Sequence, residues 1–257
     1  MLDELTAGAV ADAAIRQESV SLAAVESAAL EARAPLDAVA ALAPSSHIKV
    51  IAEVKRASPS RGELATIEDP AALAKLYEMG GASAISVLTE ERRFRGSLDD
   101  LYSVRESVSV PILRKDFIAT SYQVFEARAA GADIVLLIVA ALQPDTFATL
   151  NTLSHELGMA VLVETHTSDE VDFAVDMGAE IIGVNARDLT TFDLNRDLFA
   201  TVVDRIPAGT IRIAESAVRD ASDVQRYRSA GADVVLVGEA LVTSDPVVTL
   251  NNFLAVS

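Results

Sequence analysis

Short, unbroken apolar runs alternate along the chain with stretches whose apolar residues recur every three or four positions, the signature of buried strands separated by amphipathic helices. Four of the runs share a preface of Gly-Ala and one small or acidic residue: GASAISVL from Gly81, GADIVLLIV from Gly131, GAEIIGVN from Gly178 and GADVVLVG from Gly231. They recur about every 50 residues. Each of these glycines ends a helical pattern (YEMGG, ARAAG, AVDMG, YRSAG), where a residue tolerant of positive φ is expected. Four further runs lie between and around them: IKVIAEV from Ile48, VPIL from Val110, MAVLV from Met159 and IRIA from Ile211.

Helical patterns over 70–79, 98–108, 122–130, 144–157, 169–177, 196–206 and 221–230 separate the eight runs. Each strand-plus-helix unit is therefore about 25 residues long, and continuous apolar strands of this kind imply a parallel sheet covered by helices. This is an α/β chain, and eight near-equal units without a Gly-rich dinucleotide turn favour a closed (β/α)8 TIM barrel over an open doubly wound sheet. Residues 1–45, Ala-rich with helical spacing, read as additional N-terminal helices packed on the barrel. Residues 1–257 are thus expected to form a single barrel domain with 1–45 as its helical extension. The segments 56–69 and 89–96 exceed ordinary connections and are candidate lids.

Composition narrows the chemistry. Hydrophobic residues make up 51% and charged residues 23%, which fits a large core and excludes disorder. A net charge of −17 repels phosphate backbones and anionic lipid, so neither nucleic acid nor a membrane surface is an expected partner. Without cysteine there is no disulfide, thiolate nucleophile or Cys-based metal site, and the three histidines, His47, His155 and His166, are not at ligand spacing. No metal is expected. The N-terminus carries Asp3 and Glu4 where a secretory signal has positive charge, and the longest apolar run, 134–142, is about half the roughly 20 residues of a membrane span. A cytoplasmic location is the expectation.

Barrel chemistry sits at the C-terminal ends of the strands. Those ends are unusually polar: Glu53 and Lys55 on the first strand, Lys115 on the third, Glu164 on the fifth, Asn185 on the sixth and Glu215 on the seventh. Side chains alternate with period two, so Glu53 and Lys55 share a face that can point into the barrel mouth. Clustered carboxylates and lysines shift one another's pKa values, which is how acids and bases are tuned for neutral pH. Glu215-Ser216-Ala217 and Gly238-Glu239-Ala240 offer backbone N–H groups after the last two strands, the recurrent phosphate position of barrels, although Gly238 could equally serve only to turn the chain. Arg92, Arg93 and Arg95 read as a solvated loop face, and His155 and His166 as structural or exposed.

AEVKRASPSRG (52–62), SVLTEERRFRGS (86–97), PILRKDF (111–117), VETH (163–166), GVNARDL (183–189), AES (214–216) and VGEAL (237–241) occur in one order across the barrel. Together they resemble the indole-3-glycerol-phosphate synthase family, in which helices also precede the first strand. The resemblance implies ring closure of 1-(2-carboxyphenylamino)-1-deoxyribulose 5-phosphate, with loss of carbon dioxide and water, in tryptophan synthesis, without a metal or organic cofactor. The phosphoribosylanthranilate isomerase family shares the fold and a phosphate site after strands 7 and 8, but it relies on a Cys and Asp pair that a Cys-free chain cannot supply.

By the same resemblance Lys115 is the principal general acid, Glu164 the general base of the later proton removal, and Lys55 the lysine that holds the substrate carboxylate and helps the hydroxyl leave. Glu53, Asn185 and Glu215 position these groups and hold the lysines charged. Phe94 and Phe117 flank the aromatic ring, while Ser58, Arg187 and Ser216 match polar positions of the site. Ser216, Ala217, Gly238 and Glu239 match the phosphate-binding loops. The chain departs from the family pattern at Ala217, usually Gly, and at Ala240, usually Ser. Ala217 is expected at left-handed φ, at a cost of about 1–2 kcal/mol that Gly would not incur. The resemblance implies a phosphorylated small molecule as partner and leaves open association with other tryptophan-pathway enzymes.

Overall fold

The computed structural model describes residues 1–188, 191 and 193–257. Its strands in chain order are β1 (Lys49–Val54), the short hairpin β2 (Ala57–Ser58) and β3 (Gly62–Glu63), then β4 (Ala84–Leu88), β5 (Ile112–Lys115), β6 (Ile134–Ile138), β7 (Ala160–Thr165), β8 (Ile181–Asn185), β9 (Ile211–Glu215) and β10 (Val234–Val237). All but the hairpin pair in parallel, each with its successor, and β10 closes on β1 through Lys49↔Val234 to Ala52↔Val237. This is the expected (β/α)8 barrel. The alternation within each strand sends Ile51, Leu113, Leu136, Leu162, Ile181, Ile213 and Leu236 into one buried cluster inside the barrel. Their neighbours, such as Val50, Val135, Val163 and Val235, pack outward beneath the helices. Burying an Ile or Leu side chain of this kind contributes about 1.5–3 kcal/mol.

The helices start where the sequence supplies caps. Pro70 opens α4 (Pro70–Met79) behind Asp69, whose carboxylate accepts the Ala72 N–H at 2.9 Å. Thr120 and Gln123 form a reciprocal capping box at α6 (Ser121–Ala129). The glycines that begin the four repeats all have positive φ, between 71° and 103°. At Gly131 a Cβ would also lie 2.6 Å from Arg105, so both conformation and space require glycine there.

Two expectations about the elements change. The 196–206 pattern is only a short α9 (Leu198–Val202) followed by one 3-10 turn, and a helix not read from the pattern, α12 (Pro246–Leu254), covers the outside after β10. Its first turn is capped by Asp245 with Pro246 at the start, a signal plainly present in the sequence.

The N-terminal segment forms α1 (Leu2–Ser19), α2 (Leu22–Glu31) and α3 (Ala38–Leu42). α3 lies at the N-terminal end of the barrel, where Ala38 and Leu42 join the interior cluster and Lys49 Nζ donates to the Ala41 carbonyl at 2.8 Å. α2 packs on α6 through Val25 and Tyr122. α1 reaches the opposite end: Asp12 takes both Arg92 Nε and Nη2, at 2.8 and 2.6 Å, from the loop that follows β4. The additional helices therefore run along the barrel from its mouth to its base. No helix among the described residues is long and apolar enough to cross a membrane.

Candidate active site

Strand parity fixes the first half of the site. Ile51, Leu113, Leu162 and Ile213 fill the barrel, so Glu53, Lys115, Glu164 and Glu215, each two residues further on, are presented one layer higher at the mouth. Lys115 Nζ is 2.8 Å from Glu164 Oε2 and 3.6 Å from Glu215 Oε2, while Lys55 Nζ is 2.6 Å from Glu53 Oε2. The three carboxylates are almost completely buried. Burial opposes the charge on Lys115, but Glu164, Glu215 and Glu53 outweigh it and raise its pKa above the usual lysine value. Burial would likewise raise Glu164, yet Lys115 and His166 hold it well below the carboxylate range. Glu215 goes the other way, pushed up to about 8 by burial and by the charge of Glu164. One carboxylate is thus kept ionised and its neighbour kept protonated, the divergence expected of an acid-base site.

Two glycines make room for these groups. A Cβ on Gly183 would stand 2.0 Å from Glu215 Oε1, and one on Gly238 would stand 2.5 Å from Glu53 Oε2 and 3.0 Å from Lys55 Nζ. Gly238 has φ −118°, which any residue can adopt. Its glycine is required for close approach to the Glu53–Lys55 pair, not to turn the chain.

The opposite wall is mostly backbone. After β9 the chain does not enter a helix directly: Ser216 and Ala217 have φ of 67° and 61°, and α10 (Ala221–Ser229) begins only beyond them. Ala217 therefore occupies the left-handed conformation expected of it. Asn185 Oδ1 accepts the Ser216 hydroxyl at 2.8 Å and the Arg187 N–H at 3.0 Å, tying β8 to this turn. Glu239 opens the four-residue α11 (Glu239–Val242) and meets Arg61 of the β2–β3 hairpin at 2.6 Å. Burial lowers the pKa of Arg187, with Glu239 opposing and Arg61 adding to the shift.

Aromatic residues form the rim between β4 and β5. Phe94 and Phe117 have ring centroids 6.1 Å apart with planes inclined at 45°. The loop that carries Phe94 is wound around Glu90, whose carboxylate accepts the N–H groups of Arg92, Arg93 and Phe94 at 3.1, 2.7 and 2.9 Å. Arg92, Arg93 and Arg95 are exposed as expected, and each is also paired: with Asp12, Glu4 and Glu63. Asp116 holds the turn after Lys115 by accepting Thr89 Oγ1 at 2.6 Å, Arg114 Nη2 at 3.0 Å and the Phe117 N–H at 2.8 Å.

Every site residue expected from the sequence, from Ser58 on the hairpin to Glu239, lines one cavity of about 300 Å³ at the C-terminal ends of the strands. Leu189, the last residue of the GVNARDL motif, lies outside the described residues. The indole-3-glycerol phosphate synthase model matches residues 2–251. The chain belongs to that family. Among curated indole-3-glycerol phosphate synthases, that of Leifsonia xyli subsp. xyli is 66% identical over 253 residues, covering 98% of this chain and 97% of the relative. That of Mycobacteroides abscessus is 58% identical over 247 residues, covering 96% and 90%. Solved structures share the fold alone: an N-acetylmannosamine-6-phosphate 2-epimerase from Clostridium perfringens aligns with TM-score 0.59 at 16% identity over 75% of this chain and 86% of its own. A thiamine phosphate pyrophosphorylase from Pyrococcus furiosus gives 0.60 at 14% identity over 80% and 93%.

Sequence reasoning passed over three features of this synthase site. His166 is not exposed: it lies 3.3 Å from Glu164, a position that parity with Glu164 already implies. Arg61, one residue before a glycine in a hairpin, gave no periodic signal. Glu90 stands in a charged loop, and a carboxylate that caps three backbone N–H groups looks in sequence like any other acid.

Proposed function

We propose that this family member carries out its ring closure with Lys115 and Glu164 as the acid and base, on a substrate whose anthranilate ring lies toward Phe94 and Phe117 and whose phosphate lies toward Ser216, Ala217, Gly238 and Glu239. The observation that carries this reading is the half-buried Lys115 between Glu164 and Glu215 on the cavity wall. The ring carbon that bears the carboxylate attacks the ketone carbon, and the ketone oxygen takes a proton from Lys115 as its charge develops. An alkoxide is a stronger base than a lysine amine, so this transfer runs downhill even from a lysine held charged by the Glu164 carboxylate. Carbon dioxide then departs, its bonding pair restoring the aromatic ring.

Dehydration completes the pyrrole ring. The hydroxyl formed in the first step leaves as water with a proton from Lys55, while Glu164 removes the proton from the neighbouring carbon. Glu53 holds Lys55 in place and the protonated Glu215 stands beside Lys115, Asn185 orders Ser216 and the Arg187 amide, and Ser58 closes the cavity from the hairpin. Position and acidity supply the catalysis, because the decarboxylation is favoured once aromaticity has been lost. The reading further takes the chain as one domain, cytoplasmic, acting on a phosphorylated small molecule rather than on nucleic acid or a membrane, with other tryptophan-pathway enzymes as candidate associates.

The chain has no Trp, so indole fluorescence that develops on addition of the carboxyphenylamino sugar phosphate reports product directly. Wild-type protein should generate it and Lys115→Met should not. An equally active Lys115→Met would remove the assignment of the acid.

A further inference from the structure

On the side of Glu164 away from Lys115, and outside the residues that line the cavity, stands His166. Its Nε2 is 3.3 Å from Glu164 Oε1, and its Nδ1 is 3.4 Å from Oε2 of Glu170, which also accepts the His166 backbone N–H at 2.8 Å. Glu170 belongs to the first turn of α8 (Ser168–Asp176), behind the Thr167 cap. The other Glu164 oxygen, Oε2, holds Lys115 Nζ at 2.8 Å. Glu170, His166, Glu164 and Lys115 thus form a row of alternating charge that runs from a helix to the cavity.

We infer that His166, as an imidazolium, is a positioning residue for Glu164: it fixes one carboxylate oxygen from behind and leaves the other turned to Lys115 and the substrate. This rests on the reading of Glu164 as the base. The chemistry of the ring decides its charge. A neutral imidazole has one N–H and one lone pair, whereas both ring nitrogens here face carboxylate oxygens, which only accept. The doubly protonated ring suits both partners. Burial opposes that charge, but Glu164 and Glu170 overcome it and raise the His166 pKa to about 10. Lys115, the cation that would disfavour it, stands beyond Glu164. The Nε2 contact lacks the alignment of a hydrogen bond and no other acceptor among the described residues takes that N–H, so the clamp has room to tighten when substrate draws on Glu164.

His166→Gln keeps one donor and removes the charge. Expected are a fall in kcat of about 10-fold, comparable to losing a partner behind a metal ligand, with KM within about 2-fold. The acidic limb of the kcat/KM profile should move up by about one pH unit, because Glu164 loses a neighbouring cation. Glu170→Gln takes an anion from beside His166, so it should lower the His166 titration while leaving the acidic limb in place or slightly lower, since His166 stays protonated at acid pH. In NMR of labelled imidazoles, the one of three histidine signals that vanishes in His166→Gln should remain imidazolium at pH 8. A His166 signal that titrates at or below the usual histidine value overturns the inference. So does a lower kcat with an unmoved acidic limb, which would mark a purely structural role. Should His166→Gln not fold, the one histidine signal whose titration falls in Glu170→Gln identifies His166, and its charge at pH 8 in the wild type decides. Glu164→Gln separates the two readings: retained activity there removes the base assignment, while the histidine titration still tests the clamp.

Discussion

Between β5 and β9 the cavity wall presents Lys115, Glu164 and Glu215 as side chains on strands of the closed barrel, whereas after β9 and β10 the wall is made by Ser216-Ala217 and Gly238-Glu239, where backbone conformation is what counts. The first wall stores its function in ionisable groups buried among one another. The second stores it in the path of the chain, with two consecutive left-handed residues that are not glycine. Substitutions on the first wall should therefore act on the chemical step, and substitutions on the second on binding and stability.

The largest effect should come from Lys115→Met, which leaves Glu164 and Glu215 facing each other without the intervening cation. Loss of a positioned general acid lowers kcat by at least about 100-fold. A variant retaining a tenth or more of the wild-type kcat would break the division between a chemical and a binding wall.

Gly183→Ala sharpens it by acting on the first wall through a residue with no chemistry. The added methyl would meet Glu215 Oε1, so the carboxyl must leave its place beside Lys115. Overpacking of this kind costs about 1–3 kcal/mol of stability. Because Glu215 is displaced rather than removed, kcat should fall by about 10-fold, less than for Lys115→Met. Unchanged kcat and unchanged thermal midpoint would mean that Glu215 has another position open to it.

Next in size is a pH effect. Glu215 is raised to about 8 and His166 to about 10, so the folded chain holds protons that the unfolded chain has released by pH 7 or just above. Stability linked to a raised pKa is present below the unfolded value and is lost as pH rises through the folded one. The thermal midpoint should accordingly fall between pH 7 and 10. Glu215→Gln, neutral throughout, should reduce the fall up to about pH 9, leaving the part due to His166. A midpoint of Glu215→Gln that tracks wild type across this range would show Glu215 to be ionised already at pH 7. Glu164 works in the opposite sense: its lowered pKa gives stability that is present at neutral pH and disappears only in strong acid.

The same contrast explains what could be read from the chain before its structure. Periodicity of two, applied to Glu53, Lys55, Lys115 and Phe117, located side-chain chemistry because strand direction and parity are local properties. It would have located His166 as well, two residues after Glu164. Glu170, four residues beyond His166, is local too. Glu215 is another matter: which carboxylates meet across strands depends on barrel register, as in the Asn185↔Glu215 pairing, and no local pattern contains it. Gly238 was legible as a glycine but not for its reason, since the Glu53–Lys55 pair it accommodates comes from the other end of the sequence. The tie between α1 and the Phe94 loop was invisible for a related reason. Arg92 and Asp12 are 80 residues apart, and either one alone is an ordinary surface charge.

The smallest effect tests the backbone wall. Ala217 stands at φ 61° in the free chain, so its left-handed strain of about 1–2 kcal/mol is already present before substrate arrives. Ala217→Gly releases that strain but loosens the unfolded chain, which offsets about 0.4–1 kcal/mol. The net gain of about 1 kcal/mol should raise the thermal midpoint by about 2–4 °C. Strain common to the free and bound enzyme cancels in KM. What remains for KM is the methyl itself, which lines the cavity where the phosphate is proposed to lie. Its removal should lower KM by no more than about 3-fold with kcat unchanged, the pattern of binding remote from the reacting carbons. Ser216→Gly provides the control: it relieves the same strain at φ 67° but gives up the hydroxyl that Asn185 accepts, so it should gain less stability and raise KM. A midpoint that falls in Ala217→Gly would mean that neighbouring contacts compensate the left-handed alanine, and the strain assigned to this turn would have to be withdrawn.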